Sequence, residues 1–128
     1  MSIAGLGIDL IEIHRIEESV RRYGVRFINR IYTEKEKSLC LSRKDSASCL
    51  AARFAAKEAL YKALSECKSK NAYISFSEIE IVKNDSGMPF FEFIGKTCDS
   101  ISSMKIKSIH LSITHSRIFA AAIVVIEK

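Results

Sequence analysis

The sequence predicts an α+β fold in which a mainly antiparallel sheet packs against a long central helix. The run over residues 50–64 is rich in Ala and Leu and contains no Gly, Pro or Asn, so intrinsic propensity favours a helix. From Ser75 onward the apolar residues alternate with a period of two, which is typical of strands. The order strand, helices, long helix, hairpin, helix and two strands favours antiparallel pairing. A chain of 128 residues is expected to form one domain over 1–128.

The first predicted strand covers residues 3–11. Its large apolar side chains share one face by the strand period: Leu6, Ile8 and Leu10. The opposite face carries Gly5, Gly7 and Asp9, and two glycines there leave room for another group to approach the backbone. Asp9 then either faces a cleft or caps the helix that follows, and the sequence supports both interpretations equally.

Two helices follow, over residues 12–23 and 25–31, and Gly24 ends the first of them. Their outer surface is rich in arginine and also carries Phe27: Arg15, Arg21, Arg22, Arg26 and Arg30. Arginine binds carboxylate and phosphate in a fork geometry, so the surface suits a short acidic helix or a phosphate backbone. A solvated helix face explains the same residues equally well.

The residues Thr-Glu-Lys-Glu over 33–36 form a capping box, which predicts a third helix reaching about residue 41. A polar, basic loop over 42–46 leads into the central helix, and either Asp45 or Ser46 is expected to cap it. The central helix is expected to end within residues 67–71.

The C-terminal half is predicted to contain a β-hairpin, a short helix and two more strands. The hairpin turns at residues 84–87, Asn-Asp-Ser-Gly, and the helix covers residues 95–104. The strands cover residues 109–115 and 118–126, and the second is apolar enough to be buried. His115, at the end of the first of these strands, is the histidine best placed for function, although a lone histidine is more often a packed or surface residue.

The central helix carries the residues with the clearest chemical potential. Glu58 and Lys62 are four residues apart, and Arg53 lies four residues before Lys57. An exposed salt bridge explains Glu58 and Lys62 when they are considered alone. A carboxylate beside three cations also suits a magnesium ion with a phosphorylated ligand, provided that a second carboxylate joins the site.

The composition limits the partners and the compartment. A formal net charge of +5 and a pI near 9.1 predict an acidic partner of unspecified class. Four cysteines without a C-x-x-C pair, together with three histidines, do not indicate a zinc site, so reduced intracellular thiols are expected. There is no basic leader and no apolar run of the ~20 residues that a membrane helix needs. We therefore expect a soluble, cytoplasmic protein that does not bind a membrane.

Three segments together resemble the holo-(acyl-carrier-protein) synthase family of phosphopantetheinyl transferases. They are Gly-Leu-Gly-Ile-Asp over 5–9, Arg-Phe-Ala-Ala-Lys-Glu-Ala over 53–59 with Lys62, and Leu-Ser-Ile-Thr-His-Ser over 111–116. The resemblance implies transfer of the 4′-phosphopantetheine group from coenzyme A to a serine of the acidic acyl carrier protein of fatty acid biosynthesis. Adenosine 3′,5′-bisphosphate is the expected second product.

The resemblance also implies roles for individual residues. Asp9 and Glu58 match the family's magnesium ligands, and Lys62 matches a lysine that neutralises charge on the transferred phosphate. Positions around coenzyme A are matched by a larger set: Arg43, Lys44, Arg53, Lys57, Lys62 and His115. The carrier-docking surface of the family corresponds to Arg15, Arg21, Arg22, Arg26 and Phe27. The family further implies a homotrimer with active sites between subunits.

Two other classes of protein remain to be compared with the transferase. A magnesium-dependent nuclease could use Asp9, Glu58 and Lys62, but the common nuclease arrangement places the second acid and the lysine two residues apart on a strand. A basic module that binds nucleic acid is also compatible with the charge, although the chain lacks the aromatic platform typical of single-strand binders. The transferase, with no nucleic-acid partner, is the function that the sequence favours.

Overall fold

A computed structural model describes residues 2–128. These residues form five strands and five α-helices, with one short 3-10 turn before the second strand. In chain order they are β1 (Ile3–Glu12), α1 (Ile13–Tyr23), α2 (Val25–Ile31), α3 (Glu34–Leu41), α4 (Ser46–Leu64), the 3-10 turn (Phe76–Glu78), β2 (Ile79–Lys83), β3 (Pro89–Phe93), α5 (Gly95–Ser103), β4 (Ser108–His115) and β5 (Phe119–Glu127). The predicted α+β class is confirmed.

The strands form two sheets, and every pairing is antiparallel. The larger sheet has the order β1-β5-β4, and β2 pairs with β3 in a separate hairpin. Side chains alternate along β5, where Ala120, Ala122, Val124 and Ile126 are buried. These residues meet α4, so one face of the sheet is covered by the central helix.

The glycines of β1 let α4 approach the sheet unusually closely. A Cβ atom at Gly7 would overlap the carbonyl oxygen of Ala59, and one at Gly5 would overlap that of Ala63. Both alanines are fully buried against the strand. The room that the sequence predicted beside these glycines is therefore filled by the helix backbone, and the small residues of α4 make that contact possible.

Most element boundaries agree with the predictions, and the exceptions lie at the two ends of α4. The capping box of Thr33 and Glu36 is formed, and Gly24 ends α1 with φ +56°. Asp45 occupies the N-cap position of α4 but makes no capping hydrogen bond, because its carboxylate binds Arg43 instead. The helix ends at Leu64, earlier than expected, and the amides of residues 67 and 68 both donate to the Leu64 carbonyl in the turn that follows.

The expectation that all four cysteines are reduced thiols is wrong for one pair. Cys40, in the last turn of α3, and Cys49, in the first turn of α4, form a disulfide with both side chains buried. Their Cα atoms lie 5.3 Å apart, since the two helix ends are packed together. Cys67 and Cys98 are free.

The second face of the larger sheet is open and apolar along β1 and β5. The exposed fractions are 62% for Leu6, 64% for Ile8, 64% for Leu10 and 41% for Ile123. The register places Ile8 opposite Ile123, so these side chains adjoin one another. This group of residues is called the uncovered face below. None of the helices described for residues 2–128 is long and apolar enough to cross a membrane.

Candidate active site

Two carboxylates from distant parts of the sequence border one cavity. Asp9 lies on β1 and Glu58 on α4, and the close packing of these elements brings both side chains to a cavity of about 330 Å³. The same cavity is lined by Arg15 of α1 and Phe27 of α2. The second carboxylate that Glu58 required is therefore Asp9, and the cleft-facing interpretation of Asp9 is correct.

Lys62 is one helical turn beyond Glu58 and binds the strand rather than Glu58. Its Nζ atom donates to the carbonyl oxygen of Ile8 at 3.0 Å and lies 3.3 Å from Oδ1 of Asp9. No ion pair joins Glu58 to Lys62 among the described residues, so the simple i,i+4 salt bridge is not formed. A lysine ammonium has three donors, so one donor of Lys62 stays available for a ligand.

The electrostatics of the cavity favour an added positive charge. Partial burial raises the pKa of the Glu58 carboxyl, the negative charge of Asp9 raises it further, and Lys62 acts in the opposite direction. Two carboxylates that repel each other at an open cavity are a suitable donor set for Mg²⁺, which uses few protein carboxylates and completes its shell with water and phosphate oxygens. No cluster of three or more His, Cys, Asp or Glu occurs within residues 2–128. Asp9 and Glu58 are therefore the residues at this cavity that could hold a metal ion.

A second cavity, of about 250 Å³, lies on the other side of the start of α4. Three of the residues predicted to bind coenzyme A line it: Arg43, Arg53 and His115. The guanidinium of Arg43 makes two hydrogen bonds to Asp45, at 2.8 and 3.0 Å. Lys44 is exposed beside it on the same loop. The cavity therefore has a cationic wall suited to phosphate groups.

Arg53 is the residue in this cavity with an unmet hydrogen-bonding requirement. Only 8% of it is exposed, and burial lowers the pKa of its guanidinium. Its Nη1 atom donates to the carbonyl oxygen of Cys49 at 3.2 Å, whereas Nε is buried without any acceptor. A buried donor without a partner costs roughly 1–3 kcal/mol, so an anionic ligand that reaches Arg53 would offset that cost.

The structure contradicts the predicted role of Lys57 as a coenzyme contact. Its side chain is completely buried, and Nζ donates to Glu36 Oε1 at 2.6 Å, to the Ile31 carbonyl at 2.6 Å and to the Phe76 carbonyl at 2.9 Å. All three donors are used inside the protein. Lys57 therefore supports the packing of α3 and α4 and has no donor left for a ligand.

The predicted docking residues lie together on α1 and α2. The four arginines are exposed: Arg15, Arg21, Arg22 and Arg26. Phe27 is half-buried, and its ring stacks on Phe54 with a centroid distance of 6.5 Å. Of these residues, Arg15 and Phe27 line the Asp9–Glu58 cavity together with Phe54.

Several residues in the cavity walls were not among the predicted site residues, and two of them, Phe54 and Lys83, carry side chains suited to binding. Phe54 lines the first cavity and lies four residues before Glu58, so helical spacing could have identified it. Lys83, at the end of β2, lines the second cavity and is contributed by the separate hairpin. No local pattern in the sequence indicates that the hairpin reaches α4.

Fold and site together define a class of protein. A family model described as the 4′-phosphopantetheinyl transferase superfamily matches residues 5–122, and the chain belongs to this superfamily. The matched region includes both carboxylates, Lys62 and the second cavity.

Three similar proteins, one relative and two solved structures, are each named a holo-(acyl-carrier-protein) synthase. The chain is 47% identical to that of Maridesulfovibrio salexigens over 126 residues, covering 98% of this chain and 99% of the relative. The crystal structure of the synthase from Bacillus anthracis in complex with CoA (3′,5′-ADP) is 37% identical, with a TM-score of 0.77 and coverage of 98% and 97%. The structure from Neisseria meningitidis is 31% identical, with a TM-score of 0.88 and coverage of 99% and 100%.

Proposed function

We propose that this protein transfers the 4′-phosphopantetheine group of coenzyme A to a serine of an acyl carrier protein, converting the apo form to the holo form. The observation that carries the proposal is the convergence of Asp9 and Glu58 on one cavity that is also bordered by Arg15 and Phe27. Family membership and the similarity to a synthase in complex with CoA (3′,5′-ADP) support it. The whole chain then acts as one catalytic domain, since both cavities border α4.

In the proposed reaction the serine oxygen forms a bond to the phosphorus that carries the pantetheine arm. The bond from this phosphorus to the oxygen of the adenosine bisphosphate breaks, and adenosine 3′,5′-bisphosphate leaves. The serine proton must be accepted by a base, and the carboxylates beside the cavity or a water held by them are the groups within reach. Most of the catalysis of phosphoryl transfer comes from positioning and charge stabilisation, for which this cationic and carboxylate-lined site is suited.

Asp9 and Glu58 are the residues that would hold magnesium. When bound there, magnesium would supply positive charge that stabilises the phosphate groups during transfer. Lys62 adds a second positive charge with one free donor, and its bond to Asp9 keeps the ammonium beside this carboxylate. These three residues are the proposed catalytic residues.

The docking surface explains the choice of an acidic partner. Arginines on α1 and α2 can bind carboxylates in fork geometry, while the stacked rings of Phe27 and Phe54 offer apolar contact to an inserted side chain. A carrier helix bound there would lie at the mouth of the Asp9–Glu58 cavity. The serine would then be presented where the phosphoryl group is transferred.

A homotrimer with active sites between subunits is also part of the proposal. The Asp9–Glu58 cavity and the Arg53 cavity share no lining residue, which fits a site where one subunit supplies the cations for the coenzyme phosphates and its neighbour supplies the carboxylates. The uncovered face offers an apolar surface for assembly, since large exposed apolar patches mark interaction sites. We further propose that the protein works in the cytoplasm.

The test is the intact mass of an apo acyl carrier protein incubated with the full chain, coenzyme A and Mg²⁺. We expect a gain of one phosphopantetheine group, about 340 Da from its covalent formula, and release of adenosine 3′,5′-bisphosphate. The gain should disappear with Glu58→Ala and with a chelator in place of Mg²⁺.

Glu34→Gln is the matched control for the loss of a carboxylate. Glu34 is on α3, its side chain is 90% exposed, and it lines neither cavity. This variant should modify the carrier at the wild-type rate. Absence of any mass gain with several apo carrier proteins, under conditions in which the protein is folded, would refute the proposed function.

A further inference from the structure

The Cys40–Cys49 disulfide closes the loop that carries the cations of the second cavity. It joins the last turn of α3 to the first turn of α4 across nine residues of sequence. Arg43 and Lys44 lie between the two cysteines and are exposed. The covalent link therefore fixes both ends of this basic loop, and it restricts the positions that the two cations can take.

The disulfide also contacts the buried cation of the cavity directly. Nη1 of Arg53 lies 3.2 Å from the carbonyl oxygen and 3.3 Å from the Sγ atom of Cys49. Cys49 itself lines the cavity, and Nε of Arg53 is the buried donor without an acceptor. The orientation of this guanidinium thus depends on the position of Cys49, which the bond to Cys40 helps to determine.

The oxidation state of the pair can change in the proposed compartment. Disulfides of cytosolic proteins are usually transient, catalytic or redox-sensing, because glutathione and thioredoxin keep thiols reduced. Oxidation removes two protons and two electrons from Cys40 and Cys49, and a low-molecular-weight disulfide such as glutathione disulfide takes them up to become two thiols. A dithiol reductant reverses the reaction.

We propose that the Cys40–Cys49 pair is a redox-controlled positioning element for coenzyme binding: the disulfide holds Arg53 and the basic loop in their ligand-binding arrangement, and reduction weakens binding. Neither cysteine lines the Asp9–Glu58 cavity, so we expect reduction to act on coenzyme binding more than on the chemical step. This inference rests on the proposed function for the identity of the ligand, coenzyme A, and not for the redox behaviour of the cavity.

The experiment compares the full chain after treatment with glutathione disulfide and after treatment with a dithiol. Alkylation of the denatured protein should label two cysteines in the oxidised form, Cys67 and Cys98, and four in the reduced form. In the transferase assay we expect the KM for coenzyme A to rise about tenfold on reduction, the size of one weakened charge-assisted contact, with kcat changed less than about twofold. The Kd of adenosine 3′,5′-bisphosphate, measured by calorimetry, should rise in parallel.

Two double variants test whether the redox-dependent change in KM comes from the Cys40–Cys49 pair. Cys40→Ser with Cys49→Ser should show the higher KM in both redox conditions, whereas Cys67→Ser with Cys98→Ser should respond to the dithiol as the wild type does. Circular dichroism establishes that the variants are folded. If the first variant does not fold, the oxidised and reduced wild-type proteins still decide the question.

Several results would overturn the inference. They are four alkylated cysteines after oxidation, equal KM and Kd in the two forms, or a redox response that persists without Cys40 and Cys49. Failure of the proposed function is recognised separately: no carrier modification occurs in either form. In that case a redox-dependent Kd for adenosine 3′,5′-bisphosphate would still support the positioning role, and the lack of nucleotide binding by both forms would refute it.

Discussion

The ammonium of Lys57 lies 2.6 Å from Oε1 of Glu36, and both side chains are closed to solvent. Glu36 also accepts hydrogen bonds from the amides of Thr33 and Ile81, so one carboxylate connects the start of α3 to β2. Burial lowers the pKa of Lys57, and the charge of Glu36 opposes that shift. Lys57, the residue directly before Glu58, therefore stabilises the packing of α4, the helix that carries the site.

Replacing Lys57 by Met should strongly destabilise the protein. The change leaves the Glu36 charge buried without its cation, which typically costs about 3–5 kcal/mol of the free energy of unfolding. The double variant Lys57→Met/Glu36→Gln should recover part of this loss, and urea unfolding measures both. Lys62→Met is the control, since Lys62 is exposed and its loss should cost under about 1 kcal/mol. Equal stability of the two single variants would contradict the structural role of Lys57.

Glu58→Gln should stabilise the metal-free protein at neutral pH. Because the folded-state pKa of Glu58 is raised above 4.5, the folded state binds this proton more tightly than the unfolded state does. The protonated Glu58 carboxyl therefore stabilises the folded state at low pH, and this stabilisation is lost as the pH rises from 4.5 through the folded-state pKa of Glu58. Gln cannot lose a proton, so the variant keeps its stability over this pH range. We expect the variant to have the higher Tm at neutral pH without metal, and the difference to vanish below pH 4.5.

Adding Mg²⁺ should make the Tm of the wild type higher than that of Glu58→Gln. A ligand that binds only the folded state raises its stability by mass action, so added Mg²⁺ should raise the Tm of the wild type and leave that of Glu58→Gln nearly unchanged. Scanning fluorimetry over a pH series, with and without Mg²⁺, measures all four conditions. An equal rise in the Tm of both proteins would show that Mg²⁺ binds at a site other than Glu58.

Gly7→Ala should prevent the close packing of β1 on α4. The added Cβ overlaps the backbone carbonyl of Ala59, which cannot move without shifting the helix, so we expect a loss of about 2 kcal/mol or more together with lost activity. Gly87→Ala in the hairpin turn is the comparison: its φ of +84° makes it strained, but the added Cβ meets nothing within 4 Å, and the cost should be about 1 kcal/mol. A smaller loss for Gly7→Ala than for Gly87→Ala, by urea unfolding, would contradict the packing argument.

Ile8→Glu should dissociate the proposed trimer. Ile8 is in the middle of the uncovered face, 64% exposed in the single chain, and a carboxylate there opposes burial against another subunit. Sedimentation should find the wild type as a trimer and the variant as a monomer of 14.4 kDa without transferase activity. Ile94→Glu, an exposed apolar position outside this face, should leave both properties unchanged. A monomeric, active wild type would refute the assembly.

Arg15→Glu and Phe27→Ala should each weaken binding of the carrier protein. The first variant reverses a charge at the mouth of the cavity and the second removes the ring that stacks on Phe54, so the KM for the carrier should rise about tenfold while the KM for coenzyme A is unchanged. A higher salt concentration should reduce the difference between the wild type and Arg15→Glu in the KM for the carrier protein. Lys96→Glu on α5 is the charge-matched control. An equal loss in that variant would mean that only net charge matters.

Local patterns were sufficient to predict the order of the elements and most of their boundaries. Capping, turn residues and periodicity are properties of short segments, and they correctly predicted the Thr33 capping box and the end of α1 at Gly24. The clustering of cations near the start of α4 was also anticipated, because the loop and the helix are adjacent in sequence.

Relationships set by tertiary contacts were harder to predict. Lys57 looked like a ligand because its charge is visible in the sequence, whereas its buried partner Glu36 lies 21 residues away. The disulfide was missed because the two cysteines are nine positions apart and only the packing of α3 against α4 brings them together. Likewise, the spacing of Glu58 and Lys62 suggested a mutual salt bridge, but β1 offered Lys62 a carbonyl and a second carboxylate.

The pairing of β1 has a consequence for how the protein is made. Within residues 2–128, the only strand that pairs with β1 is β5, which is the last strand of the described chain. During synthesis on the ribosome, β1 emerges before β5. It therefore remains without its pairing strand until nearly all of the described chain has been translated. Throughout that interval Leu6, Ile8 and Leu10 belong to an unpaired apolar segment, so nascent chains should be substrates for chaperones that bind extended hydrophobic sequences.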